Sequence, residues 1–502
     1  MSLKEKLLIL IFGLVFFISA VIRFEQTKNG QFPFTYDQAR DMLDIRALGE
    51  FKDLWVMGPT TSINGLRLGP FYYYLMLPVY WFGGGDPQAL VNWNIILFLI
   101  SGLAIFLYFR KRDIVLGTTI ATIYLMAPRL FDTTRYFWNA HSATIISVYF
   151  YLALWNFIEK KDKKAVFWLG LTASVLLQFE AAFGIIALIF SGLIILINSK
   201  FKYSKEFLLG VVPWFLPQVA VEIKNKFQMT KLLIGMFSGS NQVLGEKMKI
   251  GEVLISHLTS FSKIMEGQFI LPYKFGLYLL TGIILTTILV KQKSKILKYL
   301  LSFIVFAFVF YSLIYHHELK EWYLDSLRVW YIFVIGITWK KLSNKRIWGV
   351  LLFGLFLLKS FYLTINDQKQ FMGKINNDNP KNLANLEKNI DWIYQKQQGN
   401  KFMAFSFVPE IYDYPQQYLY WWYAQKKYGY RPERYSYSLE RVPNYVKAKN
   451  DFDQDKESKN IALSYEDNHQ SMAWLEQFKD YCLLEKEVKE WKTTLEIREK
   501  CL

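Results

Sequence analysis

Cysteine and histidine are scarce: two and five residues respectively in a chain of 502. Cys482 and Cys501 both stand near the C-terminal end, and neither belongs to a metal-ligand spacing. No His/Cys metal cluster, no phosphate-cradling glycine loop and no Ser-His-Asp spacing stands out. No Arg-rich stretch of the RNA-binding kind appears, so the basic excess (59 Lys and Arg against 42 Asp and Glu, net charge +17) is not directed at nucleic acid. A small-x-small cleavage site is missing before Arg23, so Met1–Lys6 followed by Leu7–Val21 reads as a retained span and not as a removed signal peptide. Convincing internal repeats and a cytoplasmic signalling segment are absent too, which weighs against a transporter and a sensor.

What the chain has in abundance is apolar and aromatic residues, 53% and 18%. With a mean hydropathy of +0.14 it is too apolar for an ordinary soluble protein and too charged to lie wholly in lipid. Apolar runs alternate with dense Lys/Arg clusters such as Arg110-Lys111-Arg112, Lys160–Lys164, Lys200–Lys205, Lys291–Lys298 and Lys340–Arg346. Placing every such cluster on the cytoplasmic side gives a multi-pass protein of about eleven crossings, N-terminus inside. Ala165–Asn198 would reach roughly 51 Å as one helix, too long for one crossing, and charge parity demands two short helices meeting near Gln178-Phe179-Glu180. Phe71–Phe82 would cover only roughly 18 Å and reads as an interfacial or re-entrant helix. The expected layout is a transmembrane domain over residues 1–365, with non-cytoplasmic loops at 25–89 and 222–274. A small extracytoplasmic α+β domain over 366–502 follows it, in which Leu383–Gln395 and Tyr418–Tyr428 read as helices and Lys401–Val408 and Ile461–Ser464 as strands. Outside the cell Cys482 and Cys501 are free to bridge.

The stretch Phe34–Asp44 organises the rest. Thr35 and Gln38 stand as N-cap and N3 of a capping box. At 100° per residue Asp37, Arg40, Asp41 and Asp44 share one face of the helix, and Ala39, Met42 and Leu43 share the other. The face reads either as a solvated amphipathic surface or as a carboxylate site at the mouth of a membrane bundle. Cations and histidines on the same side of the topology are Arg67, Arg129, Arg135, His141, His316, His317 and Arg328; the last lies inside a span, where charge is costly. Together they suit a phosphate carried on a lipid. Group transfer from such a phosphate needs cations for the leaving group and a carboxylate to take the acceptor's proton. Asp37 is the first choice for that base, with Asp41 its rival one turn on.

At these residues the chain resembles glycosyltransferase family 39, membrane enzymes of the GT-C fold that include protein O-mannosyltransferases and lipid A aminoarabinose transferases. Tyr36-Asp37-Gln38-Ala39-Arg40-Asp41 resembles the acidic element of that family's first outer loop. Gly69-Pro70-Phe71-Tyr72-Tyr73-Tyr74-Leu75 resembles its Pro-Pro-Leu-Tyr-Tyr segment, and Arg135-Tyr136-Phe137-Trp138-Asn139 the next outer-loop segment of bacterial members. The likeness is strongest over residues 30–140. It implies Asp37 as the catalytic carboxylate, a polyprenyl-phosphate-linked sugar donor, inversion at the anomeric carbon, and a lipid, glycan or protein acceptor at the plasma membrane. Arg40, Arg67, Arg135, His141 and Arg328 become the donor-phosphate set, and Glu180, His316 and His317 the acceptor-side or secondary-acid set. Gln38 stands where many members carry a second acid; no metal-ligand pair is evident, no cofactor is called for, and a divalent metal is left open. The 58–70 stretch lacks the family's usual Lys, whose phosphate contact falls to Arg67. The competing reading is a lipid or polysaccharide transporter or flippase that transfers no sugar.

Overall fold

A computed structural model describes residues 2–52, 57–61, 63, 65–199, 202–237, 248–265, 294–343, 354–355, 357–369, 379–409, 413–439 and 458–501. The span expected over 275–290 and the first part of that over 348–365 lie outside them. The chain divides into two compact units. Unit 1 comprises Met1–Arg23, Trp55–Leu75 and Asn94–Asp367; unit 2 comprises Phe24–Leu54, Met76–Trp93 and Gln368–Leu502.

Unit 1 is helical. Among the described residues six helices are long and apolar enough to cross a membrane, or seven if a pair bent by 63° between Met126 and Arg129 counts as one span. The chain is thus a multi-pass helical membrane protein. Its first elements are α1 (Leu3–Thr27), α2 (Tyr36–Gly49), α3 (Phe71–Phe82), α4 (Pro87–Arg110), α5 (Ile114–Met126), α6 (Arg129–Arg135) and α7 (Asn139–Lys160). The segment 165–198 forms two helices, α8 (Lys163–Phe179) and α9 (Ala181–Ser199), broken at Glu180, whose φ of −146° and ψ of 105° are extended. Asp162 starts α8 by accepting the Ala165 N–H at 2.7 Å. The two helices press together at Gly184, where a Cβ would come 2.2 Å from Leu177 Cα. A short helix at Ser204–Val211 crosses α8 just as closely, with Gly210 against the Phe167 carbonyl. Small residues permit such backbone approach where lipid supplies no hydrophobic drive. The loop expected over 222–274 carries surface helices at Gln228–Phe237 and Ile250–Met265.

In unit 2 a five-stranded mixed sheet runs in the order β2-β1-β3-β5-β4. The strands are β1 (Met403–Ser406), β2 (Arg434–Ser436), β3 (Asn460–Glu466), β4 (Tyr481–Val488) and β5 (Thr493–Lys500). β1 is parallel to both β2 and β3, while β3–β5 and β5–β4 are antiparallel. Phe405, Ile461, Leu463, Trp474 and Phe478 form the core on the sheet. Helices at Leu383–Gln397 and Tyr414–Leu419, the latter continued by a π-turn over Tyr420–Ala424, complete the α+β domain. Cys482 and Cys501 form a disulfide that staples the edge strand β4 to the end of β5. The expected helix at 383–395 and strands at 401–408 and 461–464 are present with shifted ends; β2, β4 and β5 were not foreseen.

Candidate active site

The acidic helix α2 belongs to unit 2. Its capping box forms: the Gln38 side-chain oxygen accepts the Thr35 N–H at 3.0 Å. The solvated-face reading does not survive, because every residue from Gln38 to Leu48 is buried. Tertiary packing supplies the cover. Tyr36 meets the Tyr414 ring at 4.9 Å, Phe34 meets Tyr418 at 5.9 Å, and the Arg46 guanidinium lies 4.4 Å over the Trp421 ring. Arg40 donates from Nη1 to Asp37 Oδ1 at 2.8 Å, and from Nε and Nη2 to Asp41 Oδ1 at 3.0 and 2.8 Å. One guanidinium therefore holds two carboxylates in a fixed relation. They differ in access. The Asp37 side chain is 34% exposed, whereas that of Asp41 is fully enclosed; Asp44 is buried as well. Asp37 is the carboxylate of the triple that an external molecule can reach.

Elsewhere in unit 2 two carboxyls are strongly perturbed. Burial pushes Asp413, whose oxygen accepts from the Gln417 amide, up to about 7. Burial, reinforced by Asp86 and Asp391, pushes Glu387 up to about 7.

Unit 1 gathers most of the remaining candidates. Asn139 Nδ2 donates to the Phe179 carbonyl at 2.7 Å and so ties the 135–141 segment to the break at Glu180. Glu180, buried, accepts the Ala182 N–H at 3.3 Å, and Tyr311 Oη donates to the Ala182 carbonyl at 2.6 Å. His141 Nδ1 is 2.8 Å from the Tyr136 carbonyl, and its ring makes edge contacts with those of Tyr136 and Trp138, at 5.6 Å from each. Trp138 in turn meets Trp322, on the turn that precedes Arg328. Arg135 is buried and ion-paired with the half-exposed Asp132. Arg328 donates to Asp325 Oδ1 at 2.9 Å and to the Ile264 carbonyl at 3.1 Å. Arg67 is half-buried, and its backbone forms an antiparallel bridge with Thr60. His316 and His317 contribute backbone oxygens, which accept from Met248 N–H and from His257 Nε2, each at 3.0 Å.

Sequence reasoning passed over Asp132, Asp325, His257 and Arg23. The two aspartates stand three residues before Arg135 and Arg328 in sequence, the helical ion-pair spacing, so a signal for them existed. Arg23 is fully buried in unit 1, its guanidinium 4.0 Å from the Phe98 ring and 3.7 Å from that of Phe131, with Nη2 donating to the Leu125 carbonyl at 3.2 Å. It read as a flanking charge, and nothing local marks it as a buried one. Among the described residues no group of three His, Cys, Asp or Glu side chains is arranged to hold a metal ion.

The architecture is that of the GT-C membrane glycosyltransferases. The chain superposes on ArnT from Cupriavidus metallidurans bound to undecaprenyl phosphate with a TM-score of 0.60 at 10% identity, over 98% of this chain and 97% of that one. The apo state of the same protein gives 0.56 at 12% identity, with the same coverage. An oligosaccharyltransferase from Archaeoglobus fulgidus aligns with a TM-score of 0.39 at 11% identity, over 90% of this chain and 68% of that one. No protein-family model matches the sequence, and no curated protein matches it.

Proposed function

We propose that this protein is a membrane glycosyltransferase that moves a sugar from a polyprenyl-phosphate-linked donor to an extracytoplasmic acceptor, with Asp37 as general base. The observation that carries the reading is the exposure of Asp37 at the start of an otherwise buried acidic helix. Its support is a fold shared along nearly the whole chain with a protein that binds undecaprenyl phosphate. The acceptor hydroxyl gives its proton to Asp37 while its oxygen bonds to the anomeric carbon. The bond from that carbon to the phosphate oxygen breaks, and its electron pair leaves with the polyprenyl phosphate, so the anomeric centre inverts. The leaving anion needs no general acid; Arg135, Arg67 and His141 are assigned to hold it, while Arg40 orients Asp37. Arg328 is assigned to the donor phosphate with them, and Glu180 to the acceptor or secondary-acid role. Asp41, enclosed and bonded twice to Arg40, is assigned a structural role in place of the base.

The test is sugar transfer in proteoliposomes from a panel of polyprenyl-phosphate sugars. Asp37→Asn keeps size and hydrogen-bonding capacity but cannot accept the proton, so turnover falls by about 10²–10⁴ while donor binding survives. Near-normal turnover of Asp37→Asn removes the assignment.

A further inference from the structure

Unit 1 holds two cavities that adjoin where α4 and α7 end. The first is a groove of about 480 Å³ along α7 and α8, within the roughly 300–1,000 Å³ of ligand pockets. Tyr108, Leu152, Trp168, Val175 and Trp214 contribute to its wall, which is almost entirely carbon. Tyr108, Trp168 and Trp214 are only partly covered, so the groove is open to the medium around these helices. Around α7, long and apolar enough to cross a membrane, that medium is lipid. The second cavity, about 390 Å³, is polar, and Arg112, Asp113, Glu159 and Lys340 line it. It lies on the side of the basic clusters, expected to be cytoplasmic.

One residue joins the two. The Arg112 guanidinium, in the polar cavity, lies 4.1 Å over the Tyr108 ring, which lines the groove. The Tyr108 hydroxyl is shielded from solvent and meets no hydrogen-bond partner among the described residues. A ligand that brings an acceptor there relieves that cost. The charges balance: Arg112 stands 3.4 Å from Glu159, and Lys340 is paired with Asp113. Two cations and two carboxylates suit a zwitterion better than a simple anion. The donor phosphate is assigned to Arg135, before α7 begins, whereas Glu159 stands at the far end of that helix, about 30 Å away at 1.5 Å per residue. The polar cavity is therefore a separate site from the one assigned to the donor phosphate.

We propose that the two cavities together hold a phospholipid: an acyl chain lies in the groove, a phosphate meets Arg112 and Lys340, and the ammonium of an ethanolamine headgroup meets Glu159 and Asp113. The Tyr108 hydroxyl donates to an ester carbonyl at the junction. Full-length protein, delipidated in detergent, is titrated by native mass spectrometry with phosphatidylethanolamine, phosphatidylglycerol, phosphatidylcholine and undecaprenyl phosphate. One phosphatidylethanolamine binds with a Kd at least about fivefold below those of the other two phospholipids, the gain expected for one hydrogen bond. Tyr108→Phe raises the Kd of phosphatidylethanolamine and phosphatidylglycerol alike by about fivefold. Glu159→Gln removes a charged acceptor, so it raises the phosphatidylethanolamine Kd by about tenfold and does not weaken phosphatidylglycerol. The wild-type comparison needs no variant, so a substitution that fails to fold leaves the test intact. Equal affinity for the three phospholipids, or wild-type affinities in the folded variants, overturns the proposal. Displacement of phosphatidylethanolamine by undecaprenyl phosphate gives the groove to the donor's chain and overturns it too. Headgroup selection is read without any sugar transfer, so its outcome is separate from that of the glycosyltransferase reading.

Discussion

Replacing Asp413 by Asn tests the electrostatics of unit 2 without touching the proposed chemistry. Asp413 is 1% exposed and caps the helix Tyr414–Leu419, with its backbone carbonyl accepting the Gln417 N–H at 3.0 Å. Burial raises its carboxyl from 3.8 to about 7. The folded state then holds a proton that the unfolded chain releases, so stability is fully present below about pH 4, falls as pH rises, and levels off above about pH 7. Between pH 5 and 8 the titration covers about two units at 1.36 kcal/mol each, a loss of roughly 3 kcal/mol in the wild type. Asn is a good N-cap, keeps an oxygen for the Gln417 amide and does not ionise. The expected outcome is a melting-temperature advantage of the variant over the wild type that grows by roughly 6–12 °C from pH 5 to pH 8. Scanning fluorimetry of both purified proteins across that range measures it, and the Glu387 titration, common to the two, cancels in the difference. A constant offset between the two curves, or a variant that melts lower at pH 8, refutes the reasoning.

Asp41→Asn breaks an enclosed charge pair with Arg40 and destabilises unit 2 by about 3–5 kcal/mol, whereas Asp37→Asn, at the exposed partner, costs under about 1 kcal/mol; thermal melts of both check this. Cys482→Ser opens a bridge between residues 19 apart, and melting at fixed pH should show a loss of about 3 kcal/mol that dithiothreitol reproduces in the wild type. With both cysteines replaced by Ser, a Cys at Lys492 reacts with a membrane-impermeant maleimide in intact cells and a Cys at Lys111 does not; the reverse pattern inverts the proposed orientation.

Local signals carried far into this structure. Thr35 and Gln38 announced a helix start because a capping box is made by residues three apart, and Glu180 marked a break because charge parity needed two crossings there. The surroundings of α2 were not legible. Tyr36, Phe34 and Arg46 pack on Tyr414, Tyr418 and Trp421, and no window of sequence around residue 40 contains those three rings. Strand β4 escaped for the opposite reason: apart from Tyr481 it is exposed, so its Leu, Glu and Lys residues carry no burial period to read. β2, three residues long, offers too little pattern. Arg135 and Arg328 looked like cations available to a ligand, yet each is also half of an ion pair with an aspartate one turn earlier.

Unit 2 is assembled from three separated stretches of chain, and this sets an order in time. Tyr418 and Trp422 donate to the carbonyls of Gly85 and Gly84, across sequence separations of 333 and 338 residues. At a synthesis rate of about 5–20 residues per second, the early stretches wait roughly 20–70 s for the partners that cover them. The helix bearing Asp37 therefore emerges early, and the rings that pack on it come late. A chain cut short anywhere before residue 421 lacks the ring that covers Arg46, so the surroundings of this helix are complete only after that residue has been made.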